Sequence, residues 1–165
     1  MGKKIEITPE VHRQAAIHAF NETWELIEKR DRTDIESFAM EDAAHASLYH
    51  WRKVGTPLNV QRGEWLIARV CSILGSAEEA RKHALACWKV TEQNAIAGFD
   101  RAFAHEAVAR AAACGGDREL FALEFDAALD AGTRIEEQED RDHFFEDLYG
   151  GPWYGMTLRA LPESS

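Results

Sequence analysis

Ala68-Arg69-Val70-Cys71-Ser72-Ile73-Leu74-Gly75-Ser76 and Ala109-Arg110-Ala111-Ala112-Ala113-Cys114-Gly115-Gly116-Asp117 run in parallel, 41 residues apart. Each stretch is a helix-forming run with one arginine, then a glycine, then a residue that can cap a following helix. Widening the window keeps the pattern. A first hairpin spans Gly63 to about Asn94 and turns at Gly75. A second spans Phe99 to about Gly132 and turns at Gly115-Gly116, and at the same offset Trp88 falls on Leu129. Self-similarity at a fixed spacing points to a repeat architecture, which fixes the fold class before any single motif does.

Composition sets the outer limits. A chain of 165 residues suits one domain with a sizeable core. A mean hydropathy of −0.40 reads as soluble and globular. The formal net charge of −10 argues against broad nucleic-acid binding or an anionic membrane surface. The acidic run Glu136-Glu137-Gln138-Glu139-Asp140 reads as a solvated helix face. Cys71, Cys87 and Cys114 are odd in number, form no CxxC pair and sit in helical patterns, so they read as small buried apolar groups in a reducing compartment. Met1-Gly2-Lys3-Lys4 leads into Ile5-Glu6-Ile7 and not into an apolar leader segment, and no apolar stretch reaches bilayer length. The expectation is a cytoplasmic protein.

Taken in order, Thr8-Pro9-Glu10 opens the first helix, with Ala16, Phe20, Trp24 (or Thr23) and Ile27 at helical spacing. Asp31 to Asp34 is a turn. The second helix runs from about Ile35 to Lys53, with Ile35, Phe38, Ala39, Ala46, Leu48, Tyr49 and Trp51 as its apolar set. Gly55-Thr56-Pro57 ends it and starts the third helix, whose stripe is Leu66, Val70, Ile73 and Leu74. Ser76 and Glu79 have the spacing of a capping box for the fourth helix, which carries Ala80, Ala84, Cys87 and Trp88. Asn94 to Gly98 is a break. The fifth helix, Phe99 to Cys114, is alanine-rich and expected to be central. Asp117 caps the sixth, which carries Leu120, Phe121, Leu123, Phe125, Ala128 and Leu129. A seventh, from about Ile135 to Tyr149, uses Phe144, Phe145 and Leu148 to cover the last open face. Residues 150–165 form a tail whose Trp153 and Tyr154 are too apolar to stay solvated, so the tail is expected to fold back.

The segment Trp65 to Gly75, then Ala80, Ala84 and Cys87-Trp88, resembles a tetratricopeptide repeat. Ala107 to Gly116, then Phe121 and Ala127-Ala128, resembles it more loosely. The spacing departs from the usual repeat of about 34 residues, and the terminal proline is absent, so longer helices are expected. The segment Ala44-His45-Ala46-Ser47-Leu48-Tyr49-His50-Trp51 also resembles a group of short bacterial helical-repeat proteins, a likeness that implies no activity. Helix lengths and alternation extend the resemblance back to the first two helices, and the helices read along the chain give an all-α fold of about seven helices. These would stack as a short tetratricopeptide-like solenoid in one domain, with hairpins near 9–53, 57–94 and 99–132.

Two constellations compete for function. Glu41, Asp42 and His45 offer i, i+3 and i, i+4 ligand pairs on the second helix, which would suit a metal-dependent helical-bundle enzyme. His50 and His105 could add imidazoles. A second carboxylate–histidine pair is missing, so no metal or other cofactor is expected. No nucleophile elbow, phosphate loop or dinucleotide fingerprint occurs. The second constellation is cationic and aromatic. Arg62, Trp65 and Arg69 share a face on the third helix, and Phe99, Phe103, Glu106 and Arg110 share one on the fifth. Stacked hairpins bring equivalent first-helix positions to one concave side. One reading is therefore a non-enzymatic groove of Arg62, Trp65, Arg69, Phe103 and Arg110 that holds a peptide, a protein segment or a small anionic ligand. The other is that these arginines bridge to Glu64, Glu106 or Asp100 between hairpins.

Overall fold

Residues 5–161 are described by the computed structural model, and the first and last four residues lie outside it. The described residues form seven helices: α1 (Pro9–Glu28), α2 (Asp34–Val54), α3 (Pro57–Ile73), α4 (Ala77–Gln93), α5 (Gly98–Gly115), α6 (Arg118–Thr133) and α7 (Gln138–Tyr149). Among the described residues there is no strand, and Ile5 to Ile7 have no regular structure. None of these helices is long and apolar enough to cross a membrane.

Local chemistry sets most boundaries. The Thr8 hydroxyl accepts from Val11 N and caps α1. Reciprocal capping boxes start α2 (Thr33 with Glu36) and α3 (Thr56 with Asn59). Asp117 accepts from Leu120 N and caps α6. The box expected at Ser76 is not made, because Ser76 forms no side-chain cap bond. Glu79 turns instead to Lys82, at 3.1 Å. The Ser76 N–H closes α3 by reaching Cys71 O at 2.9 Å, while Gly75 sits at φ +76. The second turn repeats this, with Asp117 N to Ala112 O at 2.9 Å and Gly116 at φ +75. Both ends are Schellman closures, with glycine where the left-handed backbone excludes a Cβ at little cost.

Sequential helices pack in antiparallel pairs, α1 with α2, α3 with α4 and α5 with α6, and neighbouring pairs touch through α2–α3 and α4–α5. Helix α5 is the hub and also contacts α3 and α7. Ala102, Ala104, Ala107, Ala109, Ala111, Ala112 and Ala113 are all buried, so small side chains let several helices approach one axis. At the α2–α3 crossing a Cβ on Gly63 would come within 2.8 Å of Leu48 Cδ1. On α6, a Cβ on Gly132 would collide with the Phe144 ring of α7.

The apolar stripe read for α2 is corrected. Ile35 is 80% exposed, Phe38 69% and Tyr49 56%, and Leu123 on α6 is also exposed. Helix α2 turns Met40, Ala43, Ala44, Ser47 and Leu48 inward instead. This set has i, i+3, i+4 spacing, and Ser47 enters because its hydroxyl donates to Ala16 O of α1 at 2.9 Å. Cys71 and Cys87 are buried free thiols and Cys114 is half-buried. Burial pushes the Cys71 thiol up to about 12 and raises Cys87 as well. The tail folds back as expected. Trp153 packs edge-on against Phe121 and Phe125 at 5.6 and 5.3 Å between ring centres and donates its indole N–H to Leu148 O. The Tyr154 hydroxyl donates to Ser72 O.

Candidate functional site

The first helix of each hairpin, together with α7, lines one groove. Its cavity has a volume of about 360 Å³. Phe20, Trp24 and Glu28 come from α1, Gln61, Arg62 and Trp65 from α3, Phe99, Asp100 and Phe103 from α5, and His143 and Asp147 from α7. Trp24 and Trp65 stack at 5.8 Å between ring centres, and Trp65 meets Phe103 edge-on at 5.3 Å. Phe99 meets Phe103 edge-on at 4.8 Å and stacks with His143 at 6.1 Å. These contacts hold the rings as a fixed wall.

Behind the wall lies a buried ionic cluster. Glu106 is fully buried, Arg110 is 1% exposed and Arg69 is 6% exposed. The Trp65 indole N–H donates to Glu106 Oε2 at 2.8 Å. Arg69 donates to Glu106 Oε1 at 3.3 Å and to Asp147 Oδ1 at 3.1 Å. Arg110 also pairs with Glu106, and it donates to the Asp147 backbone oxygen at 2.7 Å. Its guanidinium carbon lies 4.2 Å from the centre of the Trp153 ring. Two guanidinium groups thus face two carboxylates, which balances charge that burial alone would make costly. Burial still lowers Arg110 from its ordinary value and raises Asp147 from its own, with Arg69 opposing the rise. Among the described residues, Asp147 Oδ2 is buried without a hydrogen-bond partner.

The five groove residues expected from sequence therefore divide. Arg62, Trp65 and Phe103 stand on the cavity wall, while Arg69 and Arg110 are not among its lining residues. Arg62 grips Asp100 with both arms of its fork, at 2.7 and 3.0 Å. The arginines thus follow the bridging alternative, with Glu106 and Asp100 as partners. Glu64 is not among them: it pairs with Arg52 of α2 and accepts from His83 Nδ1 at 2.6 Å.

Sequence reading missed Phe20, Trp24 and Asp147, although the signal was available. Trp24, Trp65, Glu106 and Asp147 are successive positions at the 41-residue offset. They meet in space as a ladder: Trp24 stacks on Trp65, Trp65 donates to Glu106, and Glu106 shares Arg69 with Asp147. The offset also links Glu64–His83 with His105–Glu124. Both pairs form, the second with His105 Nδ1 to Glu124 Oε2 at 2.7 Å, and acid and base have exchanged helices. An isolated imidazole search cannot see either clip, because each partner is 19 residues away.

The metal reading finds no ligand set. Asp42 and His45 are exposed and Glu41 is half-buried. His45 meets His83 ring edge to ring face at 5.4 Å, and desolvation holds it below the ordinary imidazole value. Among the described residues, no three His, Cys, Asp or Glu side chains converge so as to hold a metal ion. His50 faces His12 across 2.7 Å and His105 is held by Glu124, so neither joins His45. No protein-family model matches the chain, and no curated protein or solved structure shows significant similarity to it.

Proposed function

We propose that the protein is a non-enzymatic interaction module whose α1–α3–α5–α7 groove holds a peptide or protein segment. The observation that carries this reading is the cavity of about 360 Å³, walled by preset rings from three first helices and closed on one side by α7. A concave, largely apolar site with a few polar groups at its edge is how folded proteins receive side chains. Most of the rings are locked against one another or against the Glu106 cluster, so binding costs little reordering. A small anionic ligand is the weaker form of this reading, because Arg62, Arg69 and Arg110 each already pair with Asp100, Glu106 or Asp147.

Selection of a displayed random-peptide library on the purified protein tests the proposal, with Trp24→Ala as the comparison. Trp24 is half-buried on the wall, so its loss should remove ring surface while leaving the helical circular dichroism unchanged. Peptides enriched on the parent and lost on the variant are the expected result. Enrichment that ignores Trp24→Ala, or no enrichment at all, would remove the groove reading.

A further inference from the structure

The polar rim of the groove says which side chain it accepts. Around the rings stand three carboxylates, Glu28, Asp100 and Asp147, with the Arg62 guanidinium and the His143 imidazole, and Arg69 holds Asp147 from behind. Arg62 is neutralised by Asp100, and Asp140 adds a further negative charge near it. Glu28 is exposed and makes no ion pair or side-chain hydrogen bond among the described residues. Asp147 lines the cavity, and its Oδ2 is buried and makes no hydrogen bond among the described residues. An anion entering here would face these carboxylates, and Arg62, the arginine on the cavity wall, already grips Asp100. A cation would find aromatic rings, whose quadrupoles attract positive charge, and carboxylates at the same rim.

We infer that the groove recognises its segment through a basic side chain, a lysine or arginine whose alkyl stem lies along Trp24, Trp65 and Phe103 and whose charged head meets Glu28 and Asp147. This rests on the peptide-groove reading above and adds the sign of the ligand. Charge complementarity supports it at two ranges. At the rim Glu28 has no basic partner among the described residues, while Asp147 pairs through Oδ1 with Arg69. At longer range the chain carries a formal net charge of −10, which draws basic segments in and repels acidic ones. The stem–ring arrangement uses both halves of a long basic side chain, its apolar methylenes and its charged tip.

Titrating isotope-labelled protein and reading the indole N–H resonances of Trp24 and Trp65 tests this directly. Three probes are used: an acetylated peptide alternating lysine with leucine, its matched form with glutamate in place of every lysine, and tetramethylammonium chloride alone. The lysine peptide should shift both indoles saturably, with the glutamate form weaker by at least about tenfold. Glu28→Gln should weaken the lysine peptide by about threefold, and Trp24→Ala by about tenfold. Glu28 is solvent-exposed and unpaired, so its variant should fold normally. Stronger binding of the glutamate peptide at Trp24 would overturn the basic side chain and leave the peptide groove standing. Saturation by tetramethylammonium with neither peptide binding would overturn the segment and keep the cation. Lysine-peptide shifts spread over the acidic surface and indifferent to Trp24→Ala would overturn the inference. Silence from all three probes would remove both readings.

Discussion

Hairpins α3–α4 and α5–α6 share a backbone plan and differ in what they do with it. Both close their first helix on a left-handed glycine, and both clip their two helices with a histidine–glutamate pair at the same repeat position. In α3–α4 the acid stands on the first helix and the pair is buried, with Arg52 as a further partner of Glu64. In α5–α6 the histidine stands on the first helix, the pair is more open, and its ring packs 4.5 Å from the Trp88 ring centre. One repeat position shows a greater contrast: Trp65 in one hairpin, on the groove wall, and Glu106 in the next, behind it, hydrogen-bonded to each other. The repeat therefore specifies where a side chain meets its neighbours, and the residue chosen there decides whether the meeting is apolar or ionic.

The largest way to break this comparison is at Glu106. Glu106→Ala leaves Arg69 and Arg110 short of their shared carboxylate in a buried site, and breaking such a pair costs about 3–5 kcal/mol. Denaturant unfolding should show that loss, whereas Glu124→Ala, in the more exposed clip, should cost about 1 kcal/mol. Comparable losses from the two would mean that the inner and outer positions are energetically alike.

Exchanging acid and base within each clip sharpens the point. The double variant H105E/E124H should stay within about 1 kcal/mol of the parent, because it adopts the orientation already used by the other hairpin. E64H/H83E should lose about 1–3 kcal/mol, because it leaves Arg52 facing an imidazole where it now has a carboxylate. Equal costs in thermal melts would deny Arg52 its part.

The turns supply a symmetric control. Gly75→Ala and Gly116→Ala each force a Cβ into φ near +75°, and each should cost about 1–2 kcal/mol. Different losses would show that one turn carries tertiary strain that the other lacks. Gly75 is the one with a neighbour in reach, since an added Cβ would lie 3.7 Å from the Tyr154 hydroxyl oxygen.

The smallest effect is expected outside the two repeated hairpins, at the cap of α2. The Glu36 carboxylate accepts from Lys29 and from the Thr33 backbone, which hold it down to about 2. A carboxylate depressed in the folded state stabilises above its unfolded value and loses that contribution as pH falls towards 2. Glu36→Gln should therefore flatten the stability profile below about pH 4.5 and leave the slope above it unchanged. A mutant profile parallel to the parent throughout would remove Glu36 from the acid response.

Much of the fold was legible because it is local. Thr8, Thr33 and Asp117 cap through their own nearest backbone, and Gly75 and Gly116 end helices wherever such helices are placed. The two places where local reading went astray show the limit. Ser76 has cap chemistry and spacing, yet its side chain makes no cap bond, whereas Asp117 at the matching position does. Ile35, Phe38 and Tyr49 are apolar, yet they lie on the side of α2 that no other helix covers. Hydrophobicity says that a side chain would gain from burial, and only the packing says whether a partner arrives.

By itself, the sequence determined a helical repeat with a 41-residue offset, its glycine turns, an alanine-rich central helix, and the sharing of one face by Arg62, Trp65 and Arg69. Only tertiary structure decided that Arg69 and Arg110 stand behind the groove, that Glu28, Asp100 and Asp147 gather at its rim, and that Trp24 completes its wall. The physical reason is that periodicity along one helix fixes which residues point the same way. Which charge is spent and which is left over depends on carboxylates such as Asp147, 78 residues from Arg69, arriving at the same place.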